Sequence, residues 1–149
     1  MFSGDFLLTD IRLDNLLADF DVLDDWEERY RYVIELGRDL PAFDERYRNA
    51  TYKVNGCASQ VWIHPTIDRM GASTILSFSG DSDALIVKGL IAIALIIFSG
   101  KTPEQILAQD AAAVFMRLGL KDHLTPQRSN GLASMVERIK ADARQAVTA

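Results

Sequence analysis

The chain has 149 residues, of which 48% are hydrophobic and 25% charged, and its formal net charge is −5. These values are typical of a globular domain and argue against both a disordered chain and a membrane protein. An acidic chain without clustered lysine and arginine is also unsuited to general nucleic-acid binding, which needs cations against the phosphates.

Two amphipathic helices are predicted in the N-terminal third. In the first, apolar residues recur at helical spacing from Leu13 to Phe20. The second begins near Asp24, where Asp24 or Asp25 can cap it, and it ends before Pro41. The charged residues that follow it predict a loop.

The segment after this loop predicts a β-hairpin. From Gln60 to Ile67 the side chains alternate, with Ile67 on the apolar face. Residues 70–72 predict the turn, and a second alternating run reaches Gly80. Pro65 removes one backbone donor from the first strand, which indicates an edge strand or a bulge.

An apolar segment from Ala84 to Phe98 predicts a helix at the centre of the domain, against the sheet, because nearly all of its faces are apolar. It is too short, and interrupted too early, to span a membrane. We expect Asp81 or Ser82 to cap this helix, and Asp83 to interact with the positive end of its dipole.

Three further helices are predicted after the central one. Thr102, Asp110 and Thr125 are their expected N-caps, and Gly119 is the expected C-terminal stop of the second. The last helix has apolar residues at helical spacing up to Ile139 and then gives way to a polar tail.

The order of these elements predicts the fold class. No internal repeat, linker or low-complexity segment interrupts the chain, so we expect a single domain over residues 1–149. Helices, then a small antiparallel sheet, then more helices predict a compact α/β (α+β) fold, in which the sheet packs against several helices.

The lone cysteine, Cys57, indicates the cellular setting. One cysteine cannot form an intramolecular disulfide or a CxxC metal site, which favours a reducing compartment. The first residues are acidic and lack a basic stretch before an apolar segment, so they do not predict a signal peptide. We therefore expect a cytoplasmic protein.

Cys57 lies in the stretch VNGCASQVW, where small neighbours leave its thiol uncrowded. A lone cysteine is more often a small buried hydrophobe than a nucleophile. A cysteine hydrolase would need a base, and only His64 and His123 are available, without a hydrolase signature around the thiol. One cysteine and two scattered histidines also lack the spacing of a zinc site, and phosphate-binding glycine motifs are absent.

Sulfur exchange with another protein needs none of these groups. Attack of a thiolate on the outer sulfur of a partner's persulfide resembles thiol–disulfide exchange, whose rate depends on thiolate fraction, access and leaving group. The partner would cleave the carbon–sulfur bond, and a chain with one thiol cannot resolve the persulfide into a disulfide. Sulfur exchange therefore stands beside a core role as an interpretation of Cys57.

Four separated blocks of the sequence resemble the SufE family of sulfur-acceptor proteins. The blocks are WEERYRYVIELGRDLP (26–41), VNGCASQVWI (54–63), GDSDALIVKGLIA (80–92) and HLTPQRSNGLASMVERI (123–139). The resemblance implies a SufE-like domain related in fold to the IscU-type scaffolds. It also implies a chain that takes persulfide sulfur from a SufS-type cysteine desulfurase, stimulates that enzyme, and delivers the sulfur to an iron–sulfur scaffold of the SufBCD type.

Site residues follow from the same resemblance. It implies that Cys57 forms the persulfide and that the chain has no cofactor of its own, since PLP resides in the desulfurase. Asp83 and Arg128 lie in matching blocks and are expected to contact the thiol loop or the desulfurase; otherwise they are a helix-start acid and a solvated first-turn residue. Ala58 stands where the family commonly has glutamine, which affects only contacts from that side chain.

The main alternative is a non-catalytic adaptor that binds and activates a desulfurase without carrying sulfur. A hydrolase that uses His64 is a third hypothesis. In each of the first two, the chain acts as a partner rather than as a stand-alone enzyme, with no nucleic-acid or membrane partner. The sequence leaves open whether the chain forms a homodimer and whether Cys57 is buried at rest.

Overall fold

The computed structural model describes residues 4–69, 71 and 73–148, and for residues 4–10 and 148 it describes the backbone alone. Within these residues the chain forms seven α-helices and two strands, which confirms the predicted α+β class. The elements are α1 (Gly4–Asp21), α2 (Trp26–Arg38), β1 (Val61–Asp68), β2 (Ile75–Ser82), α3 (Leu85–Phe98), α4 (Pro103–Ala108), α5 (Ala111–Arg117), α6 (Leu120–His123) and α7 (Pro126–Thr148). A 3-10 helix, Glu45–Tyr47, lies between α2 and β1.

Helix α3 lies at the centre of the molecule, as its apolar sequence predicts. Most of its residues are buried, and α1, α2, β2 and α7 all pack against it. No helix among the described residues has the length and hydropathy required to cross a membrane. The central position of α3 follows from its composition, because an element that is apolar on almost every face must be covered on every face.

Strands β1 and β2 form the predicted antiparallel hairpin. Their register pairs Val61 with Ser82 and Asp68 with Ile75. In the part of the chain that the structure describes, other pairings of these strands are single bridges, so both are edge strands. This position tolerates Pro65, which has no backbone N–H to donate.

The predicted alternation fails at the tip of the hairpin. Val61 and Ile63 are fully buried, but Ile67 is 43% exposed. The end of β1 extends past the helices, so its inward-facing position meets solvent rather than core. The predicted turn at residues 70–72 includes Met70 and Ala72, which lie outside the described residues.

The prediction that Asp81 or Ser82 caps the central helix is wrong. Both residues belong to β2, and α3 begins at Leu85 after the N-cap residue Ala84, whose side chain makes no capping bond. The Asp81 carboxylate is instead paired with Arg48 and Lys88. The cap signal is a local one, and in the folded chain the Asp81 carboxylate serves a contact between distant segments instead.

Other predicted helix boundaries are mostly confirmed. Asp25, Thr102, Asp110 and Thr125 each accept a hydrogen bond from the backbone N–H three residues later. The first helix, however, is longer than predicted and begins at Gly4. The sequence pattern also did not predict α6, because a stop signal precedes it.

The predicted polar tail is wrong. Helix α7 continues to Thr148, and the small side chains of Ala143 and Ala146 are buried. Alanine contributes little to a hydrophobic periodicity, so a helix face built from alanines resembles a polar segment in sequence. Helix α7 lines the region of Cys57 with its first half and also packs against α4.

Two glycines allow α2 and α3 to approach closely. A Cβ added at Gly37 would lie 2.6 Å from the backbone nitrogen of Gly89, and one added at Gly89 would overlap the carbonyl oxygen of Val33. In both cases the added carbon would lie closer than van der Waals contact to a rigid backbone atom. The packing of α2 on the central helix therefore depends on the absence of both side chains.

We predict that Gly89→Ala lowers the free energy of unfolding by about 1–3 kcal/mol, because the new methyl group forces two buried backbones apart. Gly131→Ala on α7 is the matched control. An added Cβ there meets nothing nearer than 3.5 Å, and a glycine-to-alanine change inside a helix is expected to stabilise by about 0.5–1 kcal/mol. Urea unfolding of both variants checks this, and equal effects would contradict it.

Candidate functional site

Cys57 lies in a short loop that we call the thiol loop (residues 55–60). The backbone closes this loop like the end of a hairpin, since the Val54 N–H donates to the Val61 carbonyl at 2.8 Å. Gly56 has a φ of +88°, and a Cβ there would also lie 2.6 Å from the hydroxyl oxygen of Ser134. Glycine is thus required before Cys57 for its conformation and for the space it leaves.

The thiol of Cys57 faces the first half of α7. It is partly buried, and its S–H donates to the carbonyl oxygen of Gly131 at 3.6 Å. A Cβ at Gly131 would lie 3.5 Å from Sγ, so the helix backbone is a wall of the thiol's surroundings. Burial raises the pKa of Cys57. At neutral pH the resting thiol is therefore protonated.

A cavity of about 240 Å³ opens beside Cys57. Its walls come from the thiol loop, from α3 and from the first half of α7, and they combine apolar residues of α3 with polar residues of the thiol loop and α7. A volume of about 10–15 Å³ open to a water-sized probe already holds one water molecule, so this cavity has room for one further sulfur atom beside Cys57. The lining residues are Cys57, Ala58, Ser59, Val87, Leu90, Thr125, Gln127, Arg128, Gly131 and Met135.

Asp83 holds the C-terminal end of the thiol loop. Its Oδ1 accepts from the Gln60 N–H at 3.1 Å, and its own N–H donates to the Gln60 carbonyl at 3.4 Å. Asp83 precedes α3 and lies outside its first turn. The structure thus places the Asp83 carboxylate on the backbone of the loop that holds Cys57.

Arg128 lies in the first turn of α7, where its N–H donates to the hydroxyl of Thr125 at 3.2 Å. Its side chain lines the cavity beside Cys57. The structure therefore places Asp83 on the thiol loop through the Gln60 backbone, and it places Arg128 on the cavity that Cys57 also lines.

Sequence reasoning missed Gly131, although its carbonyl accepts from the thiol. A glycine inside a helical pattern indicates a close approach of another group, and Gly131 was such a signal. Its partner was not predictable, because Cys57 is far away along the chain.

The two histidines lie away from the thiol. The ring of His64 stacks on Tyr47 with centroids 3.5 Å apart, and the ring of His123 stacks on Trp26 at 4.3 Å. Neither lines the cavity beside Cys57. Within the described residues, no group of three His, Cys, Asp or Glu side chains is arranged to hold a metal ion. The hydrolase hypothesis therefore lacks a base at Cys57.

Comparisons with known proteins agree with one another. Residues 14–143 match the family model described as "SufE: Fe-S metabolism associated domain". A protein of Rhizobium meliloti (strain 1021), named as an uncharacterized SufE-like protein, is 53% identical over 133 residues, which cover 88% of this chain and 94% of the relative. A protein of Rhizobium etli with the same description is 52% identical over 132 residues, which cover 89% of each chain.

A solved structure shares the fold. The solution structure of a hypothetical protein from Thermus thermophilus superimposes with a TM-score of 0.74 and covers 93% of this chain and 97% of its own. Its sequence is 21% identical. At that identity, the likeness extends to the fold alone.

We predict that His64 makes the stability of the fold depend on pH. Burial, with Arg46 adding to it and Asp44 opposing, lowers the pKa of His64. The folded state then prefers neutral imidazole, and this contribution is lost as the pH falls from about 7 to about 5, through the ordinary histidine pKa. His64→Phe keeps a stacked ring without a proton to bind. Thermal unfolding across this range should show a smaller loss for the variant, and equal losses would contradict the prediction.

Proposed function

The chain belongs to the SufE family, whose domain is associated with Fe–S metabolism, and from this we propose that Cys57 accepts sulfur from a cysteine desulfurase and carries it as a persulfide. Family membership implies a role in iron–sulfur metabolism and an interaction with a cysteine desulfurase. The observation that supports the sulfur-carrying step is the placement of Cys57 on a glycine turn, facing a cavity with room for another sulfur atom.

The chemical step is an exchange of one sulfur–sulfur bond for another. The Cys57 thiolate attacks the terminal sulfur of the persulfide on the desulfurase cysteine. A bond forms between that sulfur and the Cys57 Sγ, while the bond to the desulfurase sulfur breaks and leaves a thiolate on the enzyme. The transferred sulfur brings its own proton, so the product is a Cys57 persulfide and no oxidant or reductant is consumed.

The resting state of Cys57 favours storage over reaction. Burial raises its pKa, so only a small fraction is thiolate at neutral pH, and thiolate is the attacking species. We infer that contact with the desulfurase exposes or ionises the thiol. A persulfide inside the cavity is in turn shielded from reductants, which suits a carrier between two proteins.

The resemblance also supports a finer assignment of partners. The donor in this proposal is a SufS-type desulfurase, which contributes the PLP, and the chain requires no cofactor of its own. The recipient is an iron–sulfur scaffold of the SufBCD type, and exchange between these proteins takes place in the cytoplasm.

We further propose roles for the two charged residues at the thiol loop. Asp83 sets the position of the loop through the Gln60 N–H. Arg128 lines the cavity beside Cys57, where a cation can attract acidic groups on the surface of the desulfurase.

One observation favours the alternative of an adaptor that activates the desulfurase without carrying sulfur. The Cys57 thiol is partly buried and donates a hydrogen bond to the Gly131 carbonyl, as a structural cysteine would. The two hypotheses differ in a measurable way, because an adaptor does not need the sulfur atom.

We predict that Cys57→Ser neither takes up sulfur nor stimulates the desulfurase. The wild-type chain and the variant are incubated with a SufS-type desulfurase, PLP and cysteine, and intact masses are measured before and after reduction. The wild type should gain the mass of sulfur and lose it on reduction. The double variant Cys57→Ser, Ser59→Cys is the control, because it moves the thiol along the same loop and should gain much less sulfur.

Two results would overturn the sulfur-carrying proposal. Wild-type chain that gains no sulfur, or Cys57→Ser chain that gains as much, contradicts persulfide formation at this residue. Full stimulation of desulfurase turnover by Cys57→Ser would favour the adaptor instead.

We predict that Arg128→Gln weakens binding to the desulfurase by about tenfold, a loss of about 1.4 kcal/mol, because it removes a cation from the cavity beside Cys57. Alkylation of Cys57 in the free chain should stay unchanged. Arg31→Gln is the matched control, since Arg31 is an exposed arginine on α2 whose ion pair, within the described part of the chain, is the local one with Glu27. Calorimetric titration with the desulfurase measures the affinity of each variant and of the wild type. If Arg128→Gln binds as tightly as Arg31→Gln, a binding role for Arg128 is excluded.

A further inference from the structure

Arg138 joins α7 to the backbone that leads into the thiol loop. Its Nη2 donates to the Thr51 carbonyl at 2.6 Å, and its Nη1 donates to the Lys53 carbonyl at 3.2 Å. One planar guanidinium thus holds two carbonyls of residues 51–53, where a turn leads into an isolated bridge between Lys53 and Trp62. Hydrogen bonds from a charged donor are stronger than those between neutral groups.

Asp142 contacts this guanidinium at its Nε, whereas the two carbonyls accept from Nη1 and Nη2. Its Oδ1 lies 3.5 Å from the Arg138 Nε, one helical turn away, and the two side chains are 12% and 25% exposed. The other oxygen, Oδ2, has no hydrogen-bond partner among the described residues. Burial raises the pKa of Asp142, while Arg138 acts to lower it, so the ion pair with Arg138 offsets part of the cost of burying this carboxylate.

Arg138 lies on the same face of α7 as the residues that touch Cys57 and its neighbour. Gly131 accepts from the Cys57 thiol, and Ser134 lies against Gly56. The positions 131, 134 and 138 follow the three- and four-residue spacing of one helix face. This face therefore contacts the chain at Thr51, Lys53, Gly56 and Cys57.

We propose that Arg138 is a positioning residue, which holds residues 51–53 against α7 and thereby keeps the Cys57 thiol partly buried beneath the Gly131 carbonyl. The inference deepens the proposed function. It rests on that function only in treating the Cys57 thiol as the sulfur acceptor. Without the Arg138 contact, the segment before the thiol loop loses two hydrogen bonds to α7, and the loop separates from the helix more often.

The same helix offers a matched contact elsewhere. The Lys140 Nζ donates to the carbonyls of Gln109 at 2.9 Å and Leu107 at 3.4 Å, at the end of α4. Lys140, like Arg138, is a cation on α7 bound to two main-chain carbonyls. Its removal weakens the fold in a comparable way but does not touch the segment before the thiol loop.

The experiment compares the rate of Cys57 alkylation by iodoacetamide, as a function of pH, in four chains. These are the wild type, Arg138→Gln, Arg138→Lys and Lys140→Gln. Arg128, the cation that lines the cavity, is present in all of them. Unfolding curves of each variant measure the loss of stability separately.

We expect Arg138→Gln to raise the alkylation rate at neutral pH by about tenfold. A change of this size in the population of the exposed thiol corresponds to the loss of about one charge-assisted hydrogen bond. The midpoint of its pH profile should move down towards the ordinary thiol pKa, because an exposed thiol ionises more easily. Lysine can donate to one of the two carbonyls but cannot bind both as the planar guanidinium does. The alkylation rate of Arg138→Lys should therefore lie between those of the wild type and Arg138→Gln. Lys140→Gln should keep the wild-type profile.

Two outcomes would overturn the inference. An Arg138→Gln profile equal to that of the wild type excludes the positioning role, and equal acceleration in Lys140→Gln assigns the effect to general destabilisation. Should Arg138→Gln not fold, Arg138→Lys decides by the same criteria. The assay needs no desulfurase, so the sulfur-carrying proposal and this inference can fail independently.

Discussion

The burial of helix α3 is the constraint on which the rest of the structure depends. Because α3 is apolar on almost every face, α1, α2, β2 and α7 must all cover it. Gly37 and Gly89 bring α2 close on one side. Helix α7 covers another side and also contacts β1, so its first half comes to lie beside the loop that precedes β1. The setting of Cys57 is thus a consequence of how the core is closed.

The thiol loop is held at both of its ends. Arg138 binds the backbone before it, and Asp83 binds the Gln60 N–H at its far end. Between these points, the only hydrogen bond from a side chain within the loop to α7 that the structure shows is the weak one from the Cys57 thiol to Gly131. The proposed role as a sulfur carrier requires a sulfur that is both protected and presented. A loop with fixed ends and a weakly bound centre suits that proposal, because few contacts oppose movement of its centre.

An ion network supports the connection that leads to this loop. Arg48 pairs with Asp81 at the end of β2, and its guanidinium also lies 5.4 Å and 5.2 Å from the ring centroids of Phe43 and Trp62. Burial acts to raise the pKa of Asp81, but Arg48, the Ser82 N–H and Lys88 outweigh it and hold that pKa below its ordinary value. The carboxylate therefore stays charged and ties the connection to the hairpin. In this way a residue that resembles a helix cap in the sequence serves to join separate segments.

The sequence by itself determined the presence of every helix except α6, the hairpin, most of the caps, the central place of α3 and the family, because periodicity, capping residues and motif blocks are properties of neighbouring residues. It also singled out Cys57, since no other thiol is present. Only the tertiary structure decided that Asp81 pairs with cations, that Ile67 lies beyond the core, and that Gly131 and Arg138 meet the segment around Cys57. Periodicity reports that a face is buried but not which distant segment covers it. The geometry of the thiol site consists of such distant contacts, and they form only when the chain closes around α3.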